Sequence, residues 1–377
     1  MWRANHGWQP DLPVPDERTS LILAFGDTSL ADHPDNPIGQ LGRAWPNAHV
    51  VGCSTAGQSI NDKLHDDALV VTFVRFDSTT LVSAHVNVET SGGPRRSGRR
   101  LAEQLNTPGL RGAFVLSDGL VVNGTALAAG FADVLPDLPV SGGLAGDGSR
   151  FDETWTIVDG APRSGWVSAV GFIGDDIEIG YGTGGGWDIF GPERLVTRSY
   201  GNVLYELDGR PVLGLYHEYL GDKAADLPAA GLFFPLEVRD LDNRTTVRTV
   251  LQVNDQDGSM TFAGDIAQGA SAQLMRASTD SLVHGAHLAA KQACLGGKEE
   301  LAIAVSCVGR RMVLGERTDE ELEAALEAFA PATAMVGFYA YGELSPTDGV
   351  SELHNQTMTI TTLRERNTLD EQTGANR

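Results

Sequence analysis

An apolar run, a helix, a second apolar run, a tight glycine turn and a third run recur in the same order along this chain. That order leaves few ways to bury the runs. The cleanest copy spans residues 301–363: LAIAVS, a loop, DEELEAALEAFA, TAMVGFYA, the turn Tyr341-Gly342-Glu343, and QTMTITTL. Each run is too short for a helix and rich in β-branched or aromatic residues, whereas 319–330 carries apolar residues at helical spacing behind Thr318, with Glu321 placed for a capping box. The unit reads strand, helix, strand, strand. Residues 112–173 repeat it with GAFVLS, GTALAAGFADVLP, LPVSGGLA, Gly146-Asp147 and WVSAVGFI, and residues 21–76 with LILAF, a short helix near Ile38, HVVGCSTA, Gly57-Gln58 and ALVVTFVRF. A proline (Pro46, Pro136, Pro331) follows each helix.

The expected class is α/β, with α+β open: internally duplicated strand-helix-strand-strand units forming mixed sheets flanked by helices. A second echo suggests two pseudo-equivalent halves, because SAQLMRA and the helix after it precede the third unit as TTLVSAHVNV and RRSGRRLAEQLN precede the second. Residues 1–18, with Trp2 and Trp8, read as an extended N-terminal arm docked by its tryptophans. One domain is expected over 19–198 and another over 199–362, with a disordered tail over 363–377. Within the second, Val203, Leu204 and Leu207 read as a helix, a further helix runs to Gly221, and residues 231–265 read as an antiparallel meander.

Composition excludes several functions. A formal charge of −22 and a pI near 4.7 oppose binding to nucleic acid or to an anionic membrane. No run approaches a membrane span, no charged-then-apolar leader opens the chain, and Cys53, Cys294 and Cys307 form no CxxC pair. A soluble cytoplasmic protein without a disulfide framework is expected.

Polar groups concentrate in the turns after the apolar runs: Asp118, Asp147, Cys307, Arg310, Glu343, His354 and Asn355. Ligands of α/β proteins gather where such loops converge, so these are the candidate ligand-binding residues, although tight turns by themselves also demand Asp and Gly. Gly119 and Gly309 fall at corresponding places, so their loops are expected to line one cleft. Cys307 beside Arg310 is a candidate for a depressed thiol pKa, and Asp147 with Glu343 for paired acids; either would make an enzyme. The run from Gly182 to Gly186 lacks the Lys-Ser/Thr of a phosphate loop. No metal motif appears; a single axial histidine would suffice for haem, and His217, His284, His287 and His354 are the candidates.

VGCSTAGQ, SGGLAGDGSRF, VTRSYGNVLYELDGRPVLGLYHEYLG, SCVGRRMVLG and GFYAYGELSP followed by LHNQT, in that order, resemble the FIST family of sensory proteins. The likeness covers residues 20–362, with Gln58 where the family usually has an acid. The resemblance implies a non-enzymatic cytoplasmic module that binds an amino acid or related small molecule. It would signal to a separate output protein, such as a histidine kinase of a two-component system or a cyclic-di-GMP enzyme. Some members of this length bind haem and sense nitric oxide, which leaves haem open as a cofactor, and a homodimer is possible in the family.

Overall fold

The computed structural model describes residues 1–366. The three repeated units take one topology. In each, the leading strand (Thr19–Gly26, Leu110–Ser117 or Leu301–Cys307) lies between a parallel partner (His49–Ser54, Val140–Leu144 or Ala334–Ala340) and an antiparallel closing strand (Leu69–Arg75, Trp166–Ile173 or Met358–Glu365). The leading strands are continuous apolar runs because both of their faces are buried. Leu21, Leu23 and Phe25 meet Phe114, Leu116, Ile303 and Val305 in one shared core, and Phe25 stacks on Phe338 with ring centroids 4.5 Å apart. The alternate residues, Ile22 and Ala24, Ala113 and Val115, Ala302 and Ala304, enter three separate outer cores.

After its second strand each unit sends a hairpin into a neighbour's sheet. Gln58–Ile60 of the first unit pairs with Ala334–Ala340 of the third, Gly342–Thr347 of the third with Val140–Leu144 of the second, and Thr156–Val158 of the second with His49–Ser54 of the first. The exchange closes in a ring of backbone hydrogen bonds where the three turns meet. Ala56 N–H donates to Tyr339 O (2.8 Å), Tyr341 N–H to Leu144 O (3.0 Å), and Gly146 N–H to Ser54 O (3.0 Å).

A glycine two residues before each acceptor lets the parallel strands approach. A β-carbon on Gly52 would stand 1.8 Å from Ala24 O, one on Gly142 1.9 Å from Val115 O, and one on Gly337 2.4 Å from Ala304 O. A second close approach explains the 182–186 glycines, which are no phosphate loop. Gly182 and Gly184 face the backbone of the helix Thr279–Ala293, where β-carbons would come within 1.9 and 2.0 Å of Ala289 O and Gly285 O.

The mixed sheets and flanking helices are of the expected α/β class, but the two-half duplication is not found. Thr80–Asn87 borders the second sheet, whereas Ser271–Arg276, its expected counterpart, belongs to a nine-stranded antiparallel sheet spanning 188–276. Residue 199 lies inside the strand Arg194–Tyr200, so the chain enters that sheet ahead of it. Val203–Leu207 is a strand, paired with Arg194–Tyr200 and Ser259–Phe262, and its Leu204 and Leu207 enter the sheet's own core; Val212–Leu220 is the helix, ending at Gly221. The N-terminal arm is a short hairpin, Trp2–Arg3 with Gly7–Trp8, on the edge of the first sheet, with Trp2 buried and Trp8 Nε1 donating to Gln40. Residues 363–365 finish a strand instead of starting a tail, and the rest of the expected tail, 367–377, lies outside the described residues.

The close glycine approaches set an expected outcome. Gly52→Ala and Gly337→Ala each lose about 1–3 kcal/mol of stability through forced strand separation. Gly214→Ala, whose β-carbon meets nothing within 4 Å in the helix Val212–Leu220, gains up to about 1 kcal/mol. Urea denaturation of the three variants checks both signs.

Candidate functional site

The loops after the leading strands of the second and third units face the antiparallel sheet across a cavity of about 930 Å³. One wall is the 119–123 loop, with Phe151 and Tyr341; another is Cys307, Val308, Gly309 and Met312; the antiparallel sheet supplies Thr249, Val250, Leu251 and Phe262, with the 226–232 segment beside them. The joint around it is tied by Arg248 Nη1 donating to Leu353 O (3.2 Å), Asn123 Nδ2 to Asp265 (2.8 Å) and Gln356 Nε2 to Leu232 O (3.2 Å). The expectation that the Gly119 and Gly309 loops share a cleft matches this geometry.

Of the seven candidate ligand residues, Cys307 alone lines the cavity. Asp118 accepts hydrogen bonds from Leu120 N–H (2.9 Å), Val121 N–H (3.2 Å), Gly165 N–H (2.7 Å) and the Thr154 hydroxyl (2.8 Å), so it shapes the 119–123 wall from behind. Asp147 does the same for the loop bearing Phe151, accepting from Phe151, Asp152 and Glu153 N–H groups and from the Tyr341 hydroxyl. Burial opposes its ionisation, but those four donors outweigh it and hold the carboxyl below its ordinary range. Phe151, at φ 53°, stacks on Tyr341 with centroids 4.6 Å apart at the cavity wall.

Arg310 is fully buried and committed to Glu321. Its Nε and Nη2 donate to one Glu321 oxygen (3.0 and 2.7 Å), and the other oxygen accepts from Ser306 (3.0 Å) and Tyr339 (2.7 Å) hydroxyls. The remaining guanidinium donors reach Leu282 O and Gly185 O. The expected capping box is therefore absent: the helix Thr318–Leu326 has no side-chain cap, and Glu321 points inward as a counter-ion. The expected activation of Cys307 is overturned with it, because burial, and then the Glu343 charge, push the thiol up and outweigh Arg310.

Glu343, His354 and Asn355 lie together in the layer behind Cys307. Glu343 and His354 are opposed across the strand pair. One Glu343 oxygen accepts from Thr357 Oγ1 (2.8 Å) and N–H (3.3 Å), the other has no partner, and burial raises the carboxyl to about 8. His354 Nε2 lies 3.2 Å from Ser345 O, and burial lowers its pKa to about 4, so the imidazole is neutral. Both amide atoms of buried Asn355 are unpartnered. No hydrogen bond joins Asp147 to Glu343 among the described residues, and the donors on Asp147 leave it an organiser of its loop.

The histidines do not fit haem. His217 and His284 are exposed on helix surfaces, His287 Nδ1 is held to Ala324 O (2.9 Å), His354 is spent on Ser345, and none of the four lines the cavity. No group of three or more potential metal ligands occurs among the described residues.

The buried acid and imidazole give a pH profile with a worked sign. Glu343 has a folded value raised from 4.5, so its contribution to stability is complete below 4.5 and is lost as pH rises towards 8. His354 has a folded value lowered from 6.5, so its contribution is complete above 6.5 and is lost as pH falls towards 4. Between 4.5 and 6.5 the two slopes oppose one another, and from 6.5 to 8 Glu343 acts alone. Glu343→Gln is expected to remove the decline between pH 6.5 and 8 and to leave a rise between 4.5 and 6.5, measured by urea midpoints across pH. The Arg310–Glu321 pair is checked in the same assay: Arg310→Met alone loses about 3–5 kcal/mol by stranding a buried carboxylate, and adding Glu321→Leu recovers much of it.

Comparison with known proteins places this geometry in a family. Over 295 residues the chain is 22% identical to an uncharacterized protein of Methanocaldococcus jannaschii; the match covers 71% of this chain and 56% of that protein, little more than half its length. Residues 20–210 match the FIST N domain and residues 213–346 the FIST C domain. FIST domains are small-ligand sensory domains of signalling proteins. With both domains matched in order over most of its length, the chain belongs to the FIST family.

Proposed function

We propose that this protein is a non-catalytic sensory module that takes a small ligand into the 930 Å³ cavity between the strand-end loops and the antiparallel sheet, and signals to an output protein such as a histidine kinase or a cyclic-di-GMP enzyme. The cavity carries the reading. Its volume is that of a small-molecule site, and it is walled by both sides of a joint whose ties include single hydrogen bonds such as Asn123 to Asp265 and Gln356 to Leu232. A ligand touching both walls favours one arrangement of that joint, and a partner that prefers the same arrangement reads the occupancy. The chemistry of the candidate pairs supports a sensor over an enzyme: Arg310 serves Glu321, Asp147 serves its own loop, and the Cys307 thiol is held protonated. No helix among the described residues is long and apolar enough to cross a membrane.

The expected outcome of a thermal-shift screen is a ligand that raises the melting temperature by several degrees, since a ligand at about 100 times its Kd adds about 2.7 kcal/mol to the folded state. Filling the cavity with Val121→Trp, at a wall position that is 57% exposed, should abolish that shift. A ligand whose shift survives Val121→Trp binds elsewhere and overturns the assignment of the cavity.

A further inference from the structure

We infer that the guest of this cavity presents a planar aromatic or heteroaromatic ring, which stacks on the free face of Phe151. The inference deepens the reading above and rests on it. Phe151 lines the cavity and already stacks on Tyr341, with ring centroids 4.6 Å apart and planes 13° from parallel. One face of the ring is spent on that contact, yet the residue is 46% exposed, so its exposure comes from the other side. A flat guest laid there extends a two-ring stack to three. Stacked aromatic rings gain more than the area they bury, whereas a saturated guest gains the area alone.

The backbone at this position supports a role for the ring itself. Phe151 is at φ 53°, and the other eight non-glycine residues at positive φ among those described are Asn, Asp or Gln. A turn by itself calls for such residues or for glycine, because a bulky side chain is strained there. Here the strain is held by Asp147, which accepts from the N–H groups of Phe151 (2.9 Å), Asp152 (2.8 Å) and Glu153 (3.0 Å), while the Tyr341 hydroxyl donates to the same carboxylate. One carboxylate thus fixes both rings of the stack, and Arg150 anchors the same loop to Thr28 Oγ1 (2.9 Å). The ring, and not its charge, defines the class of guest: Ser149 and Gln252, exposed on the same walls, are open to neutral or charged substituents.

Binding of 2-naphthol and of its saturated counterpart, trans-decahydro-2-naphthol, to the full-length protein is measured by calorimetry, and the naphthol ring protons are followed by NMR. 2-Naphthol is expected to bind the more tightly, with its protons shifted upfield by the ring it covers. Phe151→Leu should weaken 2-naphthol by about three- to tenfold, change decahydro-2-naphthol by less than about twofold, and abolish the upfield shift. Phe151→Asn, which suits the positive φ and keeps the loop's backbone without the ring, should do the same to 2-naphthol, and Phe151→Tyr should bind as the unaltered chain does. Equal weakening of the two compounds by Phe151→Leu overturns the inference, as does an upfield shift that survives both ringless variants or a failure of 2-naphthol to bind. Where either compound still binds and Val121→Trp abolishes that binding, the cavity reading outlives the inference. Binding of both compounds unchanged by Val121→Trp puts them elsewhere and removes the cavity reading and the inference together.

Discussion

Three backbone hydrogen bonds, Ala56 to Tyr339, Tyr341 to Leu144 and Gly146 to Ser54, hold this molecule's three α/β units in a closed ring. No unit is complete alone, because the parallel strand of each is bordered by a hairpin from another. The open edges of those strands are thereby paired within the chain, which removes the usual hazard of an unpaired edge. The ring also fixes what the turns contain. Small residues are needed where three segments of the chain meet, and the polar residue that follows each glycine, Gln58, Asp147 or Glu343, is carried into the interior and must find partners there. Gln58 accepts from Thr55 (2.7 Å) and donates to Ala68 O (2.9 Å), and Asp147 is fully engaged, whereas Glu343 is left with one idle oxygen.

That difference sets the electrostatics of the centre. Asp147 has four donors and ionises readily; Glu343 has Thr357 and little else, so burial wins and the proton stays. Similar turn chemistry thus yields a charged organiser in one unit and a neutral acid in another. Arg310 lies close enough to Glu343 to lower its pKa, yet its guanidinium is already bonded to Glu321 and to three backbone carbonyls, so it cannot serve as a private partner.

The strand-helix-strand-strand units were legible in the sequence because the leading strands, buried on both faces, must be continuously apolar, and because Gly52, Gly142 and Gly337 recur at the closest approach. What could not be read was where the hairpins go. Residues 58–65, 156–163 and 342–354 alternate as any local hairpin would, and nothing in their own spacing says that they pair with a different unit. The candidate residues were drawn to the turns for a related reason. Asp118 and Asp147 stand out in the turns for the reason that turns need them, and a carboxylate consumed by neighbouring N–H groups has little left for a ligand. Thr249 joins two strands and Leu251 sits in the second, Val250–Asn254, with no distinguishing pattern; both reach the cavity only through tertiary packing. The one local sign of the wall was Leu120-Val121-Val122, three apolar residues in a loop where polar ones are usual.

The cavity's position follows from chain connectivity acting on a threefold scaffold. All three leading strands end in loops on the ring, so three equivalent places existed for a ligand. The antiparallel sheet is inserted between the second and third units in sequence, and it covers the loops of those two, from Gly119 and from Cys307. The corresponding loop of the first unit is closed from within that unit and by the second: Asp27 N–H donates to Ala68 O (3.2 Å), and Arg150 of the second unit donates to Thr28 Oγ1 (2.9 Å) beside Asp27. Insertion therefore breaks the symmetry and leaves one large space, bounded on one side by the hydrogen-bonded ring and on the other by a sheet tied to it through contacts such as those of Arg248, Asn123 and Gln356. A guest in that space would touch the ring's loops and the inserted sheet at once, which is the arrangement in which small binding energies alter the relation of one part to the other.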